Sequence, residues 1–260
     1  MAWQRYDALY KPGQKTAFKM SRSKIDLFIE CPRCFWLDRR LGIKRPDTPP
    51  FQINKAIDEL LKKEFDIHRS KKTAHPFMKD AGFDGVPFAH DKLDQWRDNF
   101  TGVQFSHPST SLLVFGAVDD IWIDKNNALA VVDYKATSKN KDITDLDPPG
   151  SWHDSYRRQM EVYQWLLRRN DFTVSDTGYF VYANAQTSEK EFANKIVFVT
   201  RTFSYTGNDS WIEPTLHKLK DCLDGDIPAI GDGYMGHGCQ YCAYARSRTE
   251  LTLKALQKRK

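Results

Sequence analysis

Apolar residues along this chain change their period twice. In SRSKIDLFIECPRCFWLDRR (21–40), Ile25, Phe28 and Ile29 recur at helical spacing behind Ser21 or Ser23, which predicts one capped helix. A break follows at Asp47-Thr48-Pro49-Pro50. Then INKAIDELLKKEFDIHR (53–69) predicts an amphipathic helix with Ile53, Ile57, Leu60, Leu61 and Phe65 on its inner side. Residues 70–90 read as loop-rich, and DKLDQWRDNF as a short helix. From Ser111 the period falls to two. SLLVFGAVDDIWID and ALAVVDYKAT alternate as two strands of a hairpin through Lys125-Asn126-Asn127. DITDLDPPGS is a polar loop, free to move. SWHDSYRRQMEVYQWLLRRN is the clearest helix, ended by Asn170 and Asp171. GYFVYANA and KIVFVTRTFSY are strands rich in aromatic and β-branched residues. SWIEPTLHKLKDCLDG predicts a helix with Pro214 near its start and Gly225 at its end, and the basic tail after Cys242 reads as helical. The layout is α/β, in a single domain over residues 1–260.

Composition narrows the class. The chain has 260 residues, of which 40% are hydrophobic, enough for one sizeable core. No run of 18 apolar residues predicts a membrane span, and MAWQRYDALYKPGQKTAFKM lacks the apolar centre of a signal peptide, so a cytoplasmic protein is expected. A net charge of +5 is compatible with a polyanionic partner. The five cysteines fall as Cys31 and Cys34, a lone Cys222 in an apolar helix that predicts a core position, and Cys239 and Cys242. Two Cys-x-x-Cys pairs in a reducing compartment point to a metal site, and four thiolates suit tetrahedral Zn²⁺ or an iron–sulfur cluster.

Three charges interrupt the hydrophobic hairpin. Side chains alternate along a strand, so Leu129, Val131, Asp133 and Lys135 share one face while Val132 and Tyr134 take the other. Continuing the first strand, Phe115, Ala117, Asp119 and Ile121 share a face, with Asp120 opposite. Asp119 and Asp133 are therefore expected to converge at one sheet end beside Lys135. Two adjacent carboxylates repel unless a cation lies between them, and hard oxygen ligands suit Mg²⁺ or Mn²⁺. On the long helix, Gln159 and Tyr163 stand one turn apart on one face, and Trp152 and Tyr156 extend that stripe.

In order, Gly116-x-x-Asp119, Asp133-Tyr134-Lys135 and Gln159-x-x-x-Tyr163 resemble the RecB-like branch of the PD-(D/E)XK nuclease superfamily. The resemblance implies a restriction-endonuclease-like core: a central mixed sheet flanked by helices. It also implies that Asp119 and Asp133 hold Mg²⁺ or Mn²⁺, that Lys135 serves the attacking water, and that Gln159 and Tyr163 position DNA or the lysine. A further metal ligand is expected on a helix before the sheet, where Asn54-Lys55-Ala56-Ile57-Asp58 offers Asp58, with Glu64 as a second choice.

In the similar CRISPR-associated and AddB-type nucleases, one N-terminal and three C-terminal cysteines hold a 4Fe–4S cluster that ties the chain ends together. Here Cys31 resembles the first, and Cys239 and Cys242 two of the other three. No third C-terminal cysteine follows, so Cys34 is left to complete the set, with zinc as the alternative to the cluster. Segments 21–45 and 230–250 would then meet at a structural metal. The activity implied is a divalent-metal-dependent deoxyribonuclease, an exonuclease or end-processing enzyme on single-stranded DNA in repair, recombination or CRISPR-type adaptation. Trp152, Tyr156, Arg157 and Arg158 would contact the strand, and a helicase or integrase is a candidate partner. The competing reading is a non-catalytic nucleic-acid-binding module of the same fold.

Overall fold

The computed structural model describes residues 9–47, 51–233 and 236–258, so Thr48, Pro49 and Pro50 of the expected break lie outside it. Two sheets organise the chain. Strands β1 (Phe18–Ser21), β3 (Val103–His107) and β4 (Leu112–Gly116) form the smaller one, ordered β1-β4-β3. Strands β2 (Gly85–Pro87), β5 (Asp120–Asp124), β6 (Leu129–Thr137), β7 (Thr177–Ala185) and β8 (Phe198–Thr206) form the larger in that order. It is mixed: β6 and β7 are parallel and the other neighbours antiparallel. A parallel pair needs a long crossover, which helix α6 (Asp154–Arg168) supplies.

The alternation along β6 separates two cores. Leu129 and Val131 pack with Ile121 on one face, where Met160, Tyr163, Leu166 and Leu167 of α6 close over them. Helices α1 (Arg22–Glu30), α2 (Pro32–Leu41) and α7 (Ile212–Asp224) extend this core through Ile25, Phe35, Leu216 and Leu219. On the other face Ala130, Val132, Tyr134 and Trp122 pack against Leu61 and Phe65 of α3 (Gln52–Lys71) and Met78 of α4 (Pro76–Asp80). The α/β architecture with a mixed sheet flanked by helices is thus the one expected. Among the described residues no helix is long and apolar enough to cross a membrane.

Three local expectations are corrected. Residues 21–40 form two helices, because Pro32 pushes Cys31 out of helical conformation (φ −157°, ψ 100°) and then starts α2 itself. Residues 111–124 form two strands in different sheets: β4 pairs with β1 and β3, and the chain crosses at residues 117–119 before β5 joins β6. On α3, Ile53 and Leu60 are exposed, whereas Leu61, Phe65 and Arg69 are buried. In the loop at 142–151 Ile143 and Leu146 are buried, and just before it Asn184 Nδ2 donates to the carbonyls of Lys139 and Lys141. The hairpin turn holds where expected, with Asp124 Oδ1 accepting from the amides of Asn126 and Ala128 at 2.8 Å each.

Arg69 on the inner side of α3 has a partner that local pattern does not reveal. Asp120, fully buried, is ion-paired with Arg69 and with Arg97 of helix α5 (Leu93–Arg97; 3.3 Å), and accepts from Tyr134 OH at 2.7 Å. Asp66 closes the group, lying 3.2 Å from Arg69 and 2.9 Å from Arg97. Removing one member of such a group strands the others in a low-dielectric place. Asp120→Ala should therefore cost about 3–5 kcal/mol in urea unfolding. Lys125→Ala, which breaks an exposed pair with Asp84, should leave the midpoint unchanged.

Candidate active site

Asp133 and Lys135 emerge on the same face of β6, as alternation requires, with the Lys135 ammonium ion-paired to the Asp133 carboxylate. Asp119 sits on the crossing between the sheets, not within a strand. Its Oδ2 accepts from the Tyr134 amide at 2.9 Å, which fixes the carboxylate against the backbone between Asp133 and Lys135. The convergence expected from the hairpin is present, although a chain crossing produces it in place of a continuous strand.

Burial and the neighbouring Asp119 raise the Asp133 pKa to about 7, against the pull of Lys135. Its Oδ2 is engaged by the Lys135 ammonium, and its Oδ1 is buried without a hydrogen-bond partner among the described residues. Asp58, on α3, is also held above the ordinary carboxylate range by burial and by Asp119, with Lys62 opposing. Its Oδ1 is buried without a partner, and its Oδ2 is 2.7 Å from Lys62 Nζ. That same ammonium lies 3.8 Å from Asp119 Oδ1, so Lys62 bridges two of the three carboxylates. Orphaned carboxylate oxygens at Asp133 and Asp58 fit a divalent cation, with Lys62 compensating part of the charge in its absence. Glu64 turns instead to His75 Nε2, at 3.0 Å.

Gln159 and Tyr163 project from α6 into this site. Lys135 Nζ donates to Gln159 Oε1 at 3.4 Å, and Gln159 Nε2 donates to Tyr163 OH at 3.2 Å. Burial first, with Asp119 and Asp133 adding to it, raises the Tyr163 hydroxyl to about 12, so it stays protonated. Gly116 explains itself here: a Cβ on it would lie 2.5 Å from Tyr163 Cε1. Arg22, at the start of α1, was not expected. Burial opposes its charge, but Tyr163, Asp26 and Asp133 together raise its pKa. It also lies 3.8 Å from Asp26, which is ion-paired with Arg158 of α6. An Arg-x-x-x-Asp step on one helix face was the available signal.

Beside the acidic residues opens a groove of about 1090 Å³, lined in part by Phe51, Ile57, Trp152, Tyr156, Phe192 and Phe198. A smaller cleft of about 90 Å³, sharing Ile57 and Tyr156 with it, reaches Asp58 and Lys135. Trp152 is partly exposed and packs edge-on to Tyr156, whose ring lies 4.4 Å from Lys135 Nζ. Arg157 is engaged by Asp154 (2.8 Å) and the Asp147 carbonyl, and Arg158 by Asp26.

The cysteines meet as well. Cys31, Cys34, Cys239 and Cys242 place their sulfurs within 4.8 Å of one another, although they come from opposite ends of the chain. Among the described residues this is the one group of three or more such ligands so tightly gathered; the three carboxylates are spread wider. Cys222 is half-buried at the edge of the larger core.

The model of the PD-(D/E)XK nuclease superfamily matches residues 52–247, three-quarters of the chain. The chain belongs to that superfamily. No curated protein sequence matches it. The match covers Asp58, Asp119, Asp133, Lys135, Gln159, Tyr163 and the second cysteine pair, and stops short of the first pair on α1–α2. Members of this superfamily are usually nucleases that use divalent metal ions and act on nucleic acid.

In this chain the state of Asp133 has a measurable cost. Folded Asp133 keeps its proton up to about 7, while the unfolded chain releases it near the ordinary carboxylate value. Stability contributed by this proton is full at low pH and is lost as pH rises between those two values. Asp133→Asn in the presence of a chelator should therefore unfold later than wild type above about pH 7, by ~1–3 kcal/mol, and the gap should close toward pH 4. Calorimetry across that range reads both arms; added Mn²⁺ should stabilise wild type and not the variant.

Proposed function

We propose that this chain is a Mg²⁺- or Mn²⁺-dependent deoxyribonuclease that processes single-stranded DNA or free DNA ends. The observation that carries the reading is Asp133: a buried carboxylate whose Oδ1 has no hydrogen-bond partner, held beside Asp119 and beside Lys135, which lines a cleft next to an aromatic groove. Asp119, Asp133 and Asp58 would hold the ion, which supplies Lewis acidity toward the scissile phosphate and toward the attacking water.

The remaining work belongs to the side chains. Lys135, held between the Asp133 carboxylate, Gln159 Oε1 and the Tyr156 ring, orients the water and offsets charge developing on the phosphate. Gln159 and Tyr163 keep that ammonium aimed, because each bonds the next in line. Buried walls around Asp133 strengthen these interactions by excluding water.

Single strands are favoured because the groove offers ring faces and edges, Phe51, Trp152, Tyr156 and Phe192 among them, which stack unpaired bases. Arg157 and Arg158 contribute mainly by fixing α6 to the loop at 142–151 and to α1, and contact with the strand would need those pairs to open. The fitting roles are repair, recombination or CRISPR-type adaptation, alongside a helicase or integrase that delivers the strand.

Cleavage of a labelled single-stranded oligonucleotide with Mg²⁺ or Mn²⁺ tests this directly. Wild type should cleave, and Asp133→Ala and Lys135→Ala should each lose about 100-fold or more while still binding DNA. Binding by all three proteins with cleavage by none would make the chain a non-catalytic module. Trp152→Ala should weaken single-strand binding about tenfold with little change in turnover at saturation.

A further inference from the structure

We infer that the four cysteines hold a single tetrahedral Zn²⁺ ion, and not the 4Fe–4S cluster that the resemblance to CRISPR-associated and AddB-type nucleases implies. The sulfur spacing decides between them. Cys34 Sγ lies 3.5 Å from Cys239 Sγ and 3.6 Å from Cys242 Sγ, and Cys31 Sγ lies 3.8 Å from Cys242 Sγ. Four thiolates around one zinc, each at roughly 2.3 Å, form a tetrahedron with edges of about 3.8 Å. In a cubane each thiolate binds a different iron, so the four must stand apart by the width of the iron–sulfide core. With no two sulfurs more than 4.8 Å apart, the group encloses one ion and leaves no room for eight atoms. These spacings are also far beyond a sulfur–sulfur bond of about 2.05 Å, and the cysteines are free.

The backbone builds the same device twice. Cys31 is the N-cap of α2, and Cys34 follows in the first turn of that helix. Cys239 is the N-cap of helix α8 (Gln240–Gln257), and Cys242 again follows in the first turn. Each pair therefore presents its thiolates at the positive end of a helix, where anions are stabilised. Two further donors point at sulfur: the Gly231 amide to Cys31 at 3.4 Å, and Arg45 Nη2 to Cys239 at 3.3 Å. Arg45 is itself held by Glu30 at 2.6 Å and lies over the Tyr241 ring at 4.4 Å. Four thiolates and a dication carry two net negative charges, and the guanidinium that Arg45 shares between Cys239 and Glu30 faces them. Gly231 has no alternative, since a Cβ there would fall 2.6 Å from Cys31 Cα.

The inference stands independently of the nuclease reading, because it is read from metal content and not from cleavage. The full chain is purified anaerobically from iron-replete cells, and zinc, iron and acid-labile sulfide are measured. One zinc per chain, no sulfide and a colourless protein are expected. Exchange of that zinc for Co²⁺ should give the visible ligand-field bands of a tetrahedral thiolate site. Cys34→Ser should lower both zinc retention against a chelator and the melting temperature. About four irons with matching sulfide would overturn the inference. So would zinc that a mild chelator removes without changing the melting temperature, or a chain with no bound metal.

Discussion

Asp120 brings a carboxylate into a place without water, and the chain folds around meeting its needs. Arg69 comes from α3, Arg97 from α5 and the Tyr134 hydroxyl from the neighbouring strand, with Asp66 balancing the second positive charge. Satisfying that one group sets α3 across the sheet and so decides where Asp58 and Lys62 lie. It also fixes the start of β5. Arg97 Nε donates to the Asp119 carbonyl at 3.1 Å, so the residue beside the buried carboxylate is anchored by the same cation. The acidic site thus inherits its geometry from a neutral network on the opposite side of the sheet.

The active-site strand was legible because its period is two and its core is deep. Asp133 and Lys135 end a run of Leu129, Val131 and their neighbours, so alternation alone gives their shared face. Helix α6 was legible for the same kind of reason at a longer period. Alternation could not show that residues 117–119 leave one sheet for another, since the apolar rhythm continues through the crossing. Strands β1 and β3 escaped because FKMS and VQFSH are short and half polar, and gain their place only through β4. Arg69 falls four and eight residues after Phe65 and Leu61 on the buried stripe. A charge at an inner position signals a buried partner, yet nothing local names Asp120 as that partner.

The cysteine spacing announced a metal site without saying which metal, for a physical reason. Sequence fixes the number of thiolates, whereas the distance between them is set by how α2 and α8 approach. That approach also bears on the acidic site. Helix α1 ends at Cys31 and begins at Arg22, whose surroundings include Tyr163 and Asp133. One nine-residue helix therefore runs from the acidic residues to the cysteine cluster.

Asp119 and Asp120 are neighbours with opposed surroundings, one beside Asp58 and Asp133 and the other sealed between two arginines. Because the crossing from Gly116 to Asp120 is so short, the length of this stretch is as constrained as its chemistry. Losing one residue there would move Asp120 into Asp119's place and leave Ile121 among the arginines, whereas gaining one would bury Asp119 in Asp120's place. Evolutionary drift can thus alter the letters at 117 and 118 far more readily than their number. Insertions and deletions are therefore better borne elsewhere in the chain than across this crossing, where Val118 is also buried in the core.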